Sequence, residues 1–205
     1  MFTGIVQGQA RVISIERKAD IVTIRLGFPA GFLASITIGA SVSVHGCCLT
    51  VTSFQGDEAT FDMVPETLVR TSFKNLKEAA LFNVERSLKF GDEVGGHILS
   101  GHVDVVATIA SIERLEHSKV VTFQVPAERT KYIFEKGYIA LNGASLTITG
   151  VDRAASRFTI SLIPETLAKT TFGTAAIGDE VNVEIDRSTQ AIVDTVERVL
   201  AQRAH

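Results

Sequence analysis

Two short stretches set a small, nucleophile-capable residue and a hydroxyl at alternate positions: Cys48 with Thr50, and Ser145 with Thr147. Alternate residues of a β-strand share a face, so each pair offers two polar groups to one side, a wall for a ligand. Taken singly, either pair also fits plain strand packing, because small residues fill narrow space and Thr favours strands. Two further stretches, Asp62-Met63-Val64-Pro65-Glu66-Thr67 and Ser161-Leu162-Ile163-Pro164-Glu165-Thr166, bring a carboxylate and a hydroxyl to the start of a helical turn. A carboxylate there complements the helix dipole; it is equally suited to the hydroxyls of a polyhydroxy chain. His102, beside Gly101, has no counterpart in the other copy of the repeat described below, where Ile5 stands opposite it. An imidazole titrates near working pH and can take a weakly acidic C–H proton or polarise a ring.

These groups come in pairs because the chain repeats itself. Gly4 to Arg17 matches Gly101 to Arg114 at an offset of 97, with 7 of 14 residues identical. The same offset relates Gly46-Cys47-Cys48-Leu49-Thr50 to Gly143-Ala144-Ser145-Leu146-Thr147, and an offset of 99 relates Val64 to Phe73 with Ile163 to Phe172 and Asn83-Val84-Glu85 with Asn182-Val183-Glu184. Two copies are too few for a solenoid, so each is expected to be a domain with its own core. Runs such as Ile21 to Leu26, Ser41 to Val44, Phe158 to Ser161 and Glu180 to Ile185 are β-branched or alternating and punctuated by glycine. About six such runs per copy predict a closed antiparallel barrel without open edges. Pro29, Pro65, Pro126 and Pro164 are expected to start short helices. Cys48 and Ser145 occupy equivalent places, which makes the two walls chemically unequal, the thiolate being the stronger nucleophile.

The tail lies outside both copies. With Ser188 as its expected cap, a helix through Leu200 carries Ile192, Val196, Val199 and Leu200 on one face. That face either packs back on a barrel or meets the same helix in other subunits. A net charge of −3, from 20 Lys and Arg against 23 Asp and Glu, with no basic block, argues against nucleic acid. No apolar run approaches the roughly 18 residues of a membrane helix, and the start Met1-Phe2-Thr3 lacks a charged leader, so a cytoplasmic protein is expected. Cys47 and Cys48 are adjacent and are read as free thiols, and His45, His97, His102, His117 and His205 show no i, i+4 pair, so no metal site is expected.

Met1 to Val6, Gly46 to Val51, Gly95-Gly96-His97-Ile98-Leu99-Ser100-Gly101-His102, Asn142 to Thr147, Ile163 to Leu167 and Thr189 to Arg198 together resemble the riboflavin synthase family of the trimeric type. The resemblance implies two six-stranded Greek-key barrels, residues 1–97 and 98–186, all-β apart from a C-terminal α-helix, residues 187–205, that helps hold a homotrimer. It implies active sites between the first barrel of one subunit and the second of another. The implied reaction is the dismutation of two molecules of 6,7-dimethyl-8-ribityllumazine into riboflavin and 5-amino-6-(D-ribitylamino)uracil, without cofactor or metal. Residues linked to rate by the resemblance are Phe2, Cys48, His102, Ser145, Thr147 and Asp186. Substrate contacts map to Gly4, Ile5, Val6, Cys48, Leu49, Thr50, Asp62 to Thr67, Gly101, His102, Val103, Lys136, Ser145, Leu146, Thr147 and Ser161 to Thr166. Some relatives carry Asp where this chain has Asn142, so no carboxylate role transfers there. Association with a lumazine synthase is left open. The rival reading is a non-catalytic carrier on the same two-barrel plan, as in lumazine proteins.

Overall fold

Period-two alternation sorts each strand into a wet and a dry face. In β2 (Val22–Gly27) Val22, Ile24 and Leu26 are buried, and in β8 (Lys119–Gln124) Val121 and Phe123 are. The computed structural model describes residues 1–203; Ala204 and His205, the last residues of the expected tail helix, lie outside the described residues. The first barrel comprises β1 (Gly8–Arg17), β2, β3 (Ser41–Val44), β4 (Cys47–Gln55), β5 (Glu58–Met63) and β6 (Leu81–Arg86). The second comprises β7 (Val105–Arg114), β8, β9 (Tyr138–Leu141), β10 (Ala144–Asp152), β11 (Arg157–Leu162) and β12 (Glu180–Ile185). Both are closed and antiparallel, in the neighbour order β1-β2-β5-β4-β3-β6 and its exact counterpart β7-β8-β11-β10-β9-β12, a Greek key in each copy. Bulges that bend the long strands fall at repeat-equivalent places, Val12/Ser14 and Ile109/Ser111, then Val51/Ser53 and Ile148/Gly150. The change of offset from 97 to 99 is a longer hairpin: Gly56 and Asp57 join β4 to β5, whereas residues 153 to 156 join β10 to β11. Each barrel fills its own core, with Phe61, Met63 and Phe73 in the first and Phe123, Phe158 and Phe172 in the second.

Pro65 and Pro164 open the short helices α1 (Pro65–Arg70) and α2 (Pro164–Lys169), and Pro126 precedes a 3₁₀ turn, Ala127–Tyr132. Pro29 departs from expectation. It leads only into successive turns, with Phe32 N donating to its carbonyl oxygen at 3.0 Å. The tail forms α3 (Arg187–Arg203), capped not by Ser188 but by Asp186, whose Oδ2 accepts from Thr189 N at 2.7 Å and Thr189 Oγ1 at 2.8 Å. No helix among the described residues is long and apolar enough to cross a membrane.

The barrels meet through two hairpin turns that face each other. His45-Gly46 and Asn142-Gly143 both adopt positive φ (52° and 83°, 47° and 82°), the pattern of a type I′ turn. A Cβ on Gly46 would stand 2.7 Å from Gly143 N, so only glycine fits at the contact. Asn83 donates to Asn142 O at 3.0 Å and accepts from Thr171 N at 2.8 Å; its counterpart Asn182 donates to His45 O at 2.9 Å and accepts from Ser72 N at 2.7 Å. His45 accepts through Nδ1 from Asn83 N, just as Asn142 Oδ1 accepts from Asn182 N. Burial pushes the His45 imidazole down to about 3. A base whose folded pKa is depressed leaves the unfolded chain the better proton binder, so its stability contribution is intact above about 6.5 and is lost as pH falls, by about 1.4 kcal/mol per unit. His45→Asn copies the equivalent turn of the other barrel and removes this titration. Urea melts at pH 7 and pH 4.5 are expected to show a smaller acid loss for His45→Asn than for the wild type; equal losses would detach His45 from the acid response.

Candidate active site

The residues before β1 do not stay on their own barrel. Gly4 O accepts from Ser145 N of β10 at 2.8 Å, and reciprocally Gly101 O, before β7, accepts from Cys48 N of β4 at 2.8 Å. Each strap lies so close to the opposite strand that a Cβ on Gly4 would stand 2.5 Å from Ser145 Cβ, and one on Gly101 2.6 Å from Cys48 Cβ. Both glycines also hold positive φ, 76° and 78°. The two straps touch in the middle of the molecule, where Phe2 and Leu99 exchange backbone hydrogen bonds of 2.9 and 3.0 Å.

Strap 3–6, β10 and α2 enclose a cleft of about 480 Å³ that brings together Gly4, Ile5, Val6, Ser145, Leu146, Glu165 and Thr166. Lys169, not singled out in the sequence, also lines it. Cys48 and Thr50 share the outer face of β4, as their spacing requires: Cys47, Leu49 and Val51, which alternate with them, are buried. Ser145 and Thr147 share the outer face of β10, where their register partners on β9 are Ala140 and Tyr138.

The imidazole that reaches this face is His97. Its Nδ1 lies 2.6 Å from Ser145 Oγ, its ring stacks on Tyr138 at 5.3 Å, and its backbone N donates to Thr3 O at 3.1 Å. Gly96 makes the approach possible, because a Cβ there would stand 2.7 Å from Ser145 Cβ. Burial lowers the His97 pKa, and the nearby charge of Asp186 opposes that shift. The neutral ring therefore predominates near pH 7, and its tautomer with the proton on Nε2 accepts through Nδ1 from the Ser145 hydroxyl and so can polarise it. Nε2 is buried with no hydrogen-bond partner among the described residues.

Other expected site residues fall elsewhere. His102 precedes β7, is exposed, and makes backbone bonds, its N donating to Ser100 Oγ and its O accepting from Arg187. Phe2 is fully buried with Leu99 and Ala140, beneath the straps. Met63 and Leu162 point into the barrel cores, as does Leu49, because strand alternation turns them away from their exposed neighbours Asp62, Ser161 and Thr50. Val64, Ile163, Pro65 and Pro164 are exposed at the entrances of α1 and α2. Glu66 is tied to Arg70 at 2.8 Å, and Asp62 accepts from Thr23 at 2.6 Å. Lys136 sits exposed in a left-handed turn before β9 and does not line the cleft; Val103 packs against the first core. Asp186 caps α3 while its charge acts on His97.

The lumazine binding domain family model matches the chain twice, over residues 3–87 and 100–186. Riboflavin synthase of Escherichia coli (strain K12) is 47% identical over 204 residues, covering 99% of this chain and 95% of that protein. Riboflavin synthase of Chlamydia pneumoniae is 41% identical, covering 98% of each. Among solved structures, LumP complexed with riboflavin superimposes with a TM-score of 0.84 at 30% identity, over 90% of this chain and 99% of that one. LumP complexed with 6,7-dimethyl-8-(1'-D-ribityl) lumazine gives 0.81 at 29%, with the same coverage. Duplicated barrels, a cleft built on matched strands and full-length identity of this order establish that the chain belongs to the riboflavin synthase family.

Proposed function

We propose that this chain catalyses the dismutation of 6,7-dimethyl-8-ribityllumazine: two molecules enter, a four-carbon unit passes from one to the other, and riboflavin and 5-amino-6-(D-ribitylamino)uracil leave. It is then a transferase. The observation that carries the reading beyond ligand binding is the 2.6 Å contact of Ser145 Oγ with His97 Nδ1 at the wall of the cleft. A ring methyl acidified by an electron-poor pteridine needs a base and an exact orientation; His97 supplies the base through Ser145, and Gly4 to Val6, Glu165 and Thr166 position the ring and its polyhydroxy chain. Cys48, Thr50, Gly101 and His102 would form the equivalent wall for the second molecule, while Thr147 stands with Ser145 on β10 in the wall for the first. The matched walls meet across subunits of a homotrimer held by α3. A lumazine synthase, which makes the substrate, is the natural further partner, and the free thiols Cys47 and Cys48 suit the cytoplasm.

Because the four-carbon transfer balances atoms and electrons between two identical molecules, no external oxidant or reductant enters. Incubation with the lumazine in the presence of chelator, without nicotinamide or flavin, is expected to yield riboflavin fluorescence. Activity lost with chelator and restored by a metal would overturn the mechanism; binding of the lumazine without riboflavin formation would make the chain a carrier.

A further inference from the structure

Two buried carboxylates hold the straps. Glu85 of β6 accepts from Thr3 N at 2.6 Å and Thr3 Oγ1 at 2.7 Å through one oxygen, and from Gly4 N at 3.0 Å through the other. Glu184 of β12 does the same with Ser100 N at 2.7 Å, Ser100 Oγ at 2.7 Å and Gly101 N at 2.9 Å. Both are under 5% exposed. Each clamp belongs to the barrel from which its strap departs, whereas the strap pairs with the other barrel. We infer that Glu85 and Glu184 are crossed positioning residues: Glu85 of the first barrel sets the geometry of the cleft on the second, and Glu184 of the second sets the wall on the first.

The connection is short and made of backbone. Thr3 O accepts from His97 N, and Gly4 O accepts from Ser145 N, so the two residues that Glu85 grips carry both members of the Ser145 and His97 pair. On the other side, Gly101 O accepts from Cys48 N. Positive φ and the near contact of both glycines leave the straps little room to readjust. A carboxylate suits the place because all three partners donate. Glutamine offers one acceptor oxygen and turns an NH₂ toward an N–H, so it releases one anchor while nearly conserving volume.

The experiment pairs each clamp with each wall and rests on the proposed turnover for its kinetic arm. Glu85→Gln is expected to lower kcat about tenfold, small displacements of a reacting pair being costly. In a Ser145→Ala background the same change is expected to cost less than about twofold, and in a Cys48→Ala background its full effect, because coupling follows contact. Glu184→Gln is expected to show the reverse pattern. Amide spectra of the full chain provide a readout independent of activity: Glu85→Gln moves the Ser145 and His97 amide resonances and spares Cys48, and Glu184→Gln moves Cys48 and spares Ser145. Thr3→Ala and Ser100→Ala, which remove only the hydroxyl anchor, repeat the pattern if a glutamine variant fails to fold. Effects that stay on the clamp's own barrel, or that reach both walls equally, overturn the inference. A wild-type chain that makes no riboflavin sinks the proposed reaction, and the amide pattern then decides the crossed wiring alone.

Discussion

Substituting glutamine for His97 is expected to lower turnover by about 10² to 10³-fold, the range of a lost general base, with little change in affinity for riboflavin. The imidazole sits behind Ser145 rather than in the open cleft, at 2.6 Å from its hydroxyl and against the Tyr138 ring, so it contributes to proton transfer more than to contact area. Ser145→Ala removes the relay between cleft and ring and is expected to cost a similar factor, with the double variant no worse than the poorer single one. The pH profile gives a second signature. Burial lowers the His97 pKa, so the basic form persists below the ordinary histidine range, and the rate is expected to hold as pH falls from 8 through 7 and to drop only on the acid side of about 6.5. That acid limb should vanish in His97→Gln. Wild-type turnover in either variant would return the catalytic role to Cys48 and His102.

Removing residues 189–205 is expected to abolish most activity and the oligomer together. Ile192, Val196, Val199 and Leu200 stand 65%, 51%, 39% and 61% exposed along one face of α3, while the other side is tied to the second barrel by Tyr132 with Asp194, at 2.6 Å, and Lys131 with Glu197. The helix is thus docked with its apolar face outward. Burying such side chains is worth about 1.5 to 3 kcal/mol each when complete, enough in a symmetric assembly to hold subunits together. Neither core draws a residue from α3, so the truncated chain still folds and melts cooperatively. Sedimentation and riboflavin formation measured on the same samples check this: a fully active monomer would confine catalysis to a single chain.

What the sequence made legible was whatever follows from period and repetition. Both barrels could be read from alternating β-branched runs and an ordered offset, and the polar pairs from strand parity. Within the contiguous runs expected to meet the ligand, that same parity turns the Met63 and Leu162 side chains inward, which leaves only their backbone for such a contact. The cap of α3 was placed two residues late because Asp186 and Ser188 are both good caps and only the geometry at Thr189 separates them. His97 was missed for a deeper reason. It lies in the stretch between the matched segments, so self-comparison offers it no partner, and only the crossing of the straps carries it to Ser145. The identical placement of Glu85 and Glu184 was visible in the alignment of Asn83-Val84-Glu85 with Asn182-Val183-Glu184, but nothing local reveals that the straps they grip pair with the opposite barrel.

The exchanged straps also bear on ancestry. One repeat by itself holds an arm and a seat that cannot engage each other, since each arm rests on the neighbouring barrel. Two separate copies would satisfy one another by swapping arms, which is the logic of a domain-swapped dimer. The present chain has the arrangement of such a pair joined end to end. In a covalent pair the copies need not be identical, and the stretch that fuses them, through Gly96 and His97, has no twin before the first barrel: it brings an imidazole to Ser145.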